Sequence, residues 1–160
     1  MKKRTLLSCM FLIVTALFAL AGCGKKASST DAVVVGIQQD LDSLDPHRVE
    51  AAGTREVLFN VFEGLVKPNS SGEMKGAVAE SYTVNDAGTE YTFVLRQGVK
   101  FHNGQTVTAE DVKYSLDRAA GKLPGQEAPL VSDFKTVDQI EIVDDKTIKL
   151  TLSSPNTEFI

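Results

Sequence analysis

The chain begins with a short apolar segment that limits what the rest of it can be. Residues 2–4 are basic, and residues 5–20 are predominantly apolar. A helix that crosses a bilayer needs about 20 apolar residues, whereas glycine and lysine follow this segment directly. An uncleaved anchor helix is the alternative, but a basic start and an apolar stretch of this length are typical of a secretory signal peptide. We therefore predict that residues 1–22 form a cleaved leader and that the remainder is exported.

Cys23 ends this segment, in the sequence Leu20-Ala21-Gly22-Cys23. The sequence resembles the lipobox that lipoprotein signal peptidase recognises, which implies that Cys23 becomes the first mature residue and carries a diacylglycerol, usually with an N-acyl chain. Each buried methylene contributes about 0.8 kcal/mol, so two or more chains anchor a protein stably. Residues 23–31 are small and polar and predict a flexible tether. Cys9 lies inside the leader, so the two cysteines cannot form a disulfide framework.

The charge of the exported part excludes one class of partner. The whole chain has a net charge of −4, but three of its 17 basic side chains precede the apolar segment, which leaves 14 against 21 acidic ones. Nucleic-acid binding requires clustered lysine and arginine to displace counterions from phosphates. We therefore expect no nucleic-acid partner.

The first part of the exported chain contains a predicted strand, a loop and a helix. Ala32–Ile37 is a short apolar run of the kind found in fully buried strands. The following residues are rich in aspartate and serine, and Pro46 disfavours helix at Asp45, so a loop is expected there. Apolar residues then recur at helical spacing, which predicts a helix from Thr54, as N-cap, to about Glu63.

The second part alternates between strand and helix patterns. Two antiparallel strand pairs are predicted from period-2 alternation and from turn residues between the strands: Ser81–Val84 with Glu90–Arg96, and Gln139–Val143 with Thr147–Leu152. A helix is predicted to start after Thr108, which stands three residues before Asp111 as in a capping box. Its apolar face comprises Val112, Leu116 and Ala119, and the sequence from Gly121 to Pro129 ends it.

Residues that could carry chemistry are few. His47 and His102 have no carboxylate at metal-ligand spacing, and we interpret both as structural or solvated. Glu110-Asp111 fits a helix first turn and Asp144-Asp145 a hairpin turn, rather than an acid/base or calcium site. No nucleophile elbow, phosphate loop or dinucleotide turn occurs, so we expect no enzyme activity, no cofactor and no metal. The aromatic residues follow strand or helix periods and are predicted to be core: Phe59, Phe62, Tyr82, Tyr91, Phe93, Phe101 and Tyr114.

Three ordered segments carry a family resemblance. They are Leu44–His47; Phe62–Val66 with Gly76–Tyr82; and Tyr91–Gly104 leading to Thr108–Arg118. Together they resemble the peptide and nickel branch of the extracellular solute-binding proteins, the dipeptide- and oligopeptide-binding type that serves ABC importers.

The resemblance implies an α/β fold of the periplasmic-binding-protein type II class, with two lobes and an extra domain, in which hinge closure traps the ligand. Residues 32–65 would then be the first segment of the main ligand-binding lobe, and residues 66–160 an incomplete extra α/β domain. Only the first third of the fold would be present, and the partner strands of Ala32–Ile37 would come later. The abrupt stop at Ile160 leads us to expect a truncated sequence that folds weakly and binds no ligand alone.

The resemblance also implies where a ligand binds. In oligopeptide-binding relatives, backbone just after the Leu-Asp-Pro-His segment pairs with the main chain of the ligand, which corresponds here to Glu50, Ala51 and Ala52. Glu50 could equally be a surface charge. The implied partners are a peptide or similar small solute and the permease subunits of an importer. The protein itself is expected to be a monomer, anchored through Cys23 at the outer face of the cytoplasmic membrane.

Two other readings stay open at this point. A surface sensor of peptides or nutrients would share the cleft but lack an importer partner. An exported lipoprotein hydrolase would require a catalytic group that residues 1–160 do not provide.

Overall fold

A computed structural model describes residues 33–156 and 159–160. The predicted leader, Cys23 and the tether lie outside the described residues. The chain divides into two units, and the described residues from 37 onward belong to the second, compact one. In the second unit the helices and strands are α1 (Ala52–Leu58), β1 (Val66–Pro68), β2 (Met74–Gly76), β3 (Ala79–Val84), β4 (Glu90–Leu95), α2 (Ala109–Ala119), a 3₁₀ helix (Ser132–Thr136), β5 (Val137–Ile142) and β6 (Thr147–Leu152).

The strand predicted at Ala32–Ile37 is wrong for the part that the structure describes. Residues 33–37 form no strand, and the side chains of Val33, Val34 and Val35 are exposed. A strand needs a hydrogen-bonded neighbour, and no strand of the described residues pairs with this run. An apolar run alone therefore did not determine the local structure.

The centre of residues 37–160 is a four-stranded antiparallel sheet in the order β3-β4-β6-β5. Both predicted strand pairs are confirmed: β3 pairs with β4, and β5 pairs with β6. The pairing of β4 with β6, which places Tyr91 opposite Leu150 and Phe93 opposite Ile148, joins the two hairpins into one sheet. Separate hairpin patterns in the sequence could not indicate this long-range contact.

The core covers one face of the sheet. Alternate residues of β4 and β6 are buried, as expected for strands that have one face against a core. The buried cluster comprises Ala79, Tyr91, Phe93, Leu95, Ala109, Val112, Ala120, Val137, Ile140, Ile148, Leu150 and Leu152. Complete burial of a side chain such as Ile148 contributes about 1.5–3 kcal/mol.

Helix α2 begins as the sequence predicts. The Thr108 side chain accepts a hydrogen bond from the Asp111 amide (3.2 Å), and the Asp111 carboxylate accepts one from the Thr108 amide (2.9 Å). This capping box satisfies two amides that lack partners within the helix. Val112 and Ala119 are buried and Leu116 packs beside them, so the predicted apolar face is confirmed.

The end of α2 depends on a glycine. Gly121 has a φ of +72°, and a Cβ there would lie 2.4 Å from the carbonyl carbon of Ala128. A glycine avoids both the strain of a left-handed conformation and this contact. The predicted break after the helix is confirmed.

The prediction for the first helix is wrong in its bounds. Helix α1 begins at Ala52 and ends at Leu58, and its N-cap residue Ala51 makes no side-chain cap hydrogen bond. Thr54 lies within the helix and is only 2% exposed, so it is not the N-cap. Its hydroxyl instead contacts the preceding loop, which sequence periodicity does not reveal.

Candidate functional site

The loop before α1 is organised around the side chain of Asp42. One carboxylate oxygen of Asp42 accepts hydrogen bonds from the amides of Glu50 (2.7 Å) and Ala51 (3.0 Å). The amide of Asp42 donates to the hydroxyl oxygen of the buried Thr54 (3.3 Å). Hydrogen bonds from the Thr54 hydroxyl and from the two amides lower the pKa of Asp42 below its usual range, because each donor favours the ionised carboxylate. Asp42 is therefore a charged acceptor that holds residues 50 and 51 in place.

A second cluster joins this loop to the last turn of α2. The guanidinium of Arg118 makes a bidentate contact with the Asp45 carboxylate (2.9 and 2.5 Å). The same guanidinium lies 2.8 Å from Nδ1 of His47. Bidentate pairs of this kind are short, directional and stronger than neutral hydrogen bonds. The cluster of Asp45, His47 and Arg118 thus fixes the loop against the helix.

The electrostatics of this cluster follow from its geometry. The hydrogen bonds from Arg118 lower the pKa of Asp45 to about 2. Burial and the neighbouring Arg118 charge lower the pKa of His47, and the negative charge of Asp45 opposes this change. A neutral His47 can accept a hydrogen bond from the guanidinium at Nδ1, whereas a protonated ring would bring two cations together. His47 therefore has the structural role that we expected of it, and His102 is exposed.

The three sequence segments that carry the family resemblance meet in space. Asp45 and His47 of the first segment contact Arg118 at the end of the third. Within the second segment, the Leu65 carbonyl accepts from the amides of Ala77 (2.9 Å) and Ala79 (3.0 Å). The amide of Arg96, in the third segment, donates to the Val78 carbonyl (2.9 Å). Segments that are distant in sequence thus form one connected framework.

The predicted ligand-binding residues lie at the junction of the loop and α1. Glu50 and Ala52 are exposed and Ala51 is half-buried. The Ala51 amide is bonded to Asp42, and its carbonyl accepts from the Arg55 amide (3.2 Å). Within the described part of the chain, the Glu50 carbonyl accepts no hydrogen bond and the Ala52 amide donates none. The main-chain groups left for a ligand are therefore one acceptor and one donor, on the residues either side of Ala51.

An open cleft of about 1230 Å³ lies beside this segment, between α1, α2 and the loops around residues 101 and 131. Four of the seven aromatic residues that we predicted to be core are exposed, so that prediction is wrong for Phe59 (68% exposed), Phe62, Phe101 and Tyr114. Phe59 and Phe62 follow the end of α1, where the helical spacing that suggested a buried face no longer applies. Tyr91 and Phe93 are buried and Tyr82 packs against the core.

The acidic pairs have local structural roles. Glu110 and Asp111 stand in the first turn of α2, and Asp144 accepts from the Lys146 amide (2.9 Å) in the β5–β6 turn. Among residues 33–156 and 159–160, no three histidine, cysteine, aspartate or glutamate side chains are grouped as a metal site requires. The same residues include no helix that is long and apolar enough to span a membrane.

Comparison with known proteins identifies the family. Residues 73–160, more than half of the chain, match the profile of the bacterial extracellular solute-binding proteins, family 5 (middle region). The chain belongs to this family. The resemblance stated from the sequence is thereby confirmed.

Family 5 relatives extend the match toward the N-terminus. The glutathione-binding protein GsiB of Shigella dysenteriae is 35% identical over 148 residues, which are 92% of this chain and 28% of GsiB. The chain therefore spans about a quarter of the length of the curated relatives that it matches.

Solved structures agree with this assignment. AgaA of A. tumefaciens R10, in complex with agropinic acid, has a TM-score of 0.66 and 38% identity over 75% of this chain and 24% of AgaA. Haemophilus influenzae OppA, in complex with the peptide RPPGFSPFR, has a TM-score of 0.62 and 28% identity over 72% of this chain and 25% of OppA. The predicted class, an α/β fold of the type II periplasmic binding proteins of which this chain spans a part, is confirmed.

Two residues that hold the loop of this family 5 chain in place, Asp42 and Arg118, were not predicted from the sequence. Asp42 was one of several polar residues in a predicted loop, and Arg118 was one charge on a predicted helix. Arg118 is the last residue of the third resemblance segment, which is the one signal that pointed to it. Its partner Asp45 is 73 positions away, and no periodic pattern relates such distant residues.

Proposed function

We propose that this chain is the first part of the lipid-anchored substrate-binding component of an ABC importer. The complete protein captures peptides, or similar small solutes with a peptide-like main chain, and delivers them to permease subunits. Residues 32–65 belong to the main ligand-binding lobe and residues 66–160 to the extra domain. The protein acts as a monomer, outside the cytoplasmic membrane.

The observation that carries this proposal is the state of the main chain at residues 50–52. The Glu50 carbonyl and the Ala52 amide have no hydrogen-bond partner within the described part of the chain. Between them lies Ala51, whose amide and carbonyl are both hydrogen-bonded within the chain. An extended ligand can donate to the first and accept from the second, as a neighbouring strand does. Main-chain pairing of this kind recognises any peptide and leaves side-chain specificity to other parts of a cleft.

Two similarities support a peptide-like solute. A relative with 35% identity over 148 residues is named as a glutathione-binding protein, and a structure with a TM-score of 0.62 contains a bound peptide. Both ligands have peptide bonds. AgaA, with a TM-score of 0.66, instead contains agropinic acid, which makes agropinic acid the competing ligand for a binding measurement.

The lipid anchor is proposed from the sequence alone. Leu20-Ala21-Gly22-Cys23 would supply the lipidation site, and acyl chains on Cys23 would keep the binding domain at the membrane surface, close to a permease. Metabolic labelling with a palmitate analogue, compared between the unchanged protein and Cys23→Ser, tests this part separately.

Calorimetry tests the binding function. The complete coding sequence that contains this chain is expressed without its leader and is titrated with reduced glutathione, trialanine and agropinic acid. Saturable binding of glutathione or trialanine with a dissociation constant of about 10 μM or lower, which is about −7 kcal/mol, supports the proposal. Binding of agropinic acid alone, or of none of the three, contradicts the peptide-like substrate.

Growth of a deletion strain on the bound peptide as nitrogen source separates an importer component from a surface sensor.

A further inference from the structure

The hydrogen bonds around Asp42 suggest a role for this side chain that goes beyond holding a loop. Its carboxylate oxygen accepts from two consecutive amides, those of Glu50 (2.7 Å) and Ala51 (3.0 Å). Asp42 is separated from these residues by eight and nine positions, so the contact closes the whole loop. Hydrogen bonds to an ionised acceptor are shorter and about twice as strong as neutral ones.

The contact determines which main-chain groups remain for a ligand. The Ala51 amide donates to the Asp42 carboxylate, and the Ala51 carbonyl accepts from the Arg55 amide. Both main-chain polar groups of Ala51 therefore have partners within the chain. The Glu50 carbonyl and the Ala52 amide are left without such partners in the described residues. If Asp42 were absent, two amides would lack an acceptor and the peptide units on both sides of Glu50, including the one that carries the Glu50 carbonyl, could rotate.

The surroundings of Asp42 restrict its own movement. Thr54, which is 2% exposed, accepts from the Asp42 amide through its hydroxyl oxygen. A buried residue of α1 thus orients the main chain of Asp42, and preorganised groups bind a ligand without a further ordering cost.

We propose that Asp42 is a positioning residue for ligand binding: by holding the amides of Glu50 and Ala51, it presents the Glu50 carbonyl to the main chain of a peptide-like ligand, beside an Ala52 amide that the Arg55 amide orients through the Ala51 carbonyl. This inference rests on the proposed function, because it assigns the means by which residues 50–52 are held. Asp42 itself does not contact the ligand.

The test combines protein variants with ligand analogues. The complete protein and its Asp42→Ala variant are titrated with trialanine or glutathione, whichever the unchanged protein binds, and with analogues methylated at each peptide nitrogen in turn. The control is Asp40→Ala, which removes an exposed aspartate of the same loop for which the described residues provide no hydrogen bond. Thermal unfolding of each variant without ligand is measured in parallel.

We expect Asp42→Ala to weaken binding about tenfold, the value of one or two main-chain hydrogen bonds. One methylated analogue is expected to bind the unchanged protein and Asp40→Ala about tenfold less tightly. The same methylation should lower the affinity of Asp42→Ala less than about twofold, because the hydrogen bond that the methyl group removes is already weakened in this variant. A loss of stability alone would change the affinity for every analogue by the same factor, so this non-additivity separates positioning from a structural role.

Three results would overturn the inference: unchanged affinity in Asp42→Ala, an equal cost of methylation in Asp42→Ala and in the unchanged protein, or no cost of methylation at any nitrogen in the unchanged protein. If Asp42→Ala does not fold, Asp42→Asn replaces it, since the amide oxygen can still accept but carries no charge, and the same comparison applies with smaller expected changes. Failure of the unchanged protein to bind either compound would instead contradict the proposed function, and the inference with it.

Discussion

The contact between Asp45 and Arg118 provides a quantitative test of how the loop is attached to α2. Replacing Arg118 by methionine keeps most of the side-chain volume and removes the two hydrogen bonds to Asp45 and the one to His47. The side chains of Arg118 and Asp45 are 28% and 27% exposed, which is neither buried nor fully solvated. Arg118→Met therefore separates the attachment of the loop from the packing of the helix.

The expected magnitude lies between two known limits. Exposed ion pairs contribute about 0.2–1 kcal/mol, and hydrogen bonds to charged groups contribute about 1.5–3 kcal/mol. For a bidentate pair of intermediate exposure we expect a coupling free energy of about 1.5 kcal/mol between Asp45 and Arg118, a little more than tenfold in the folding equilibrium. The single replacement Arg118→Met should lower the free energy of unfolding by at least about the same amount, which appears as a lower urea midpoint at an unchanged slope.

The assay is urea unfolding of the complete protein that contains this chain, followed by far-ultraviolet circular dichroism. Asp45→Asn, Arg118→Met and the double variant complete the cycle. The control cycle uses Lys67 and Glu63, whose ion pair is 2.6 Å long but 56% and 47% exposed, and its expected coupling is below about 0.5 kcal/mol. Equal coupling in both cycles would refute the reasoning that partial burial strengthens the Asp45–Arg118 contact.

The pH dependence of the same cluster has a defined sign. The pKa of His47 is lowered in the folded chain, so the unfolded chain binds a proton first and stability falls as the pH drops below about 6.5. The pKa of Asp45 is lowered from 3.8 to about 2, so its contribution is complete above pH 3.8 and is lost as the pH falls toward 2. His47→Gln should remove the change between pH 7 and 5, and an unaltered profile in that range would contradict the assignment.

Three further predictions concern the core, a turn and the lipid anchor. Ile148→Ala, at a fully buried position of the central sheet, should lower the free energy of unfolding by about 2–5 kcal/mol, measured by urea titration. Gly121→Ala should lower the free energy of unfolding by about 3 kcal/mol, because the strain of a left-handed conformation and a Cβ contact at 2.4 Å add together. Gly98→Ala is the control: its φ is positive but no atom lies within 4 Å, so the expected loss is only about 1 kcal/mol. Equal losses in the two variants would exclude a contribution from the Cβ contact. Cys23→Ser should shift the protein from the membrane to the soluble fraction on centrifugation, and continued sedimentation with membranes would argue against lipidation.

Much of the sheet and α2 could be predicted from sequence because local rules determine those parts. Alternating apolar residues define β4 and β6, and Thr108 with Asp111 forms the capping box that the spacing predicts. The order of the sheet could not be predicted, because the pairing of Tyr91 with Leu150 joins residues far apart in sequence. No strand was predicted for the small β1–β2 hairpin, since its strands have three residues each and too few positions to form a pattern.

The candidate site was harder to predict than the fold. Family resemblance indicated Glu50–Ala52, but the groups that hold this segment come from the Asp42 side chain and from buried Thr54. Thr54 resembled an N-cap in sequence because a threonine before an apolar periodic run is the usual signal. Its hydroxyl instead satisfies a loop amide, a choice that depends on tertiary contacts rather than on local propensity.

Amide hydrogen exchange of the complete protein, read at single residues with and without a bound peptide or glutathione, tests the central claim most directly. Ligand binding should slow exchange of the Ala52 amide, which has no acceptor within the described residues, by at least about tenfold, while the Glu50 and Ala51 amides, already bonded to Asp42, change little. Slower exchange elsewhere in the protein with no change at Ala52 would contradict the account, because the ligand would then bind away from residues 50–52.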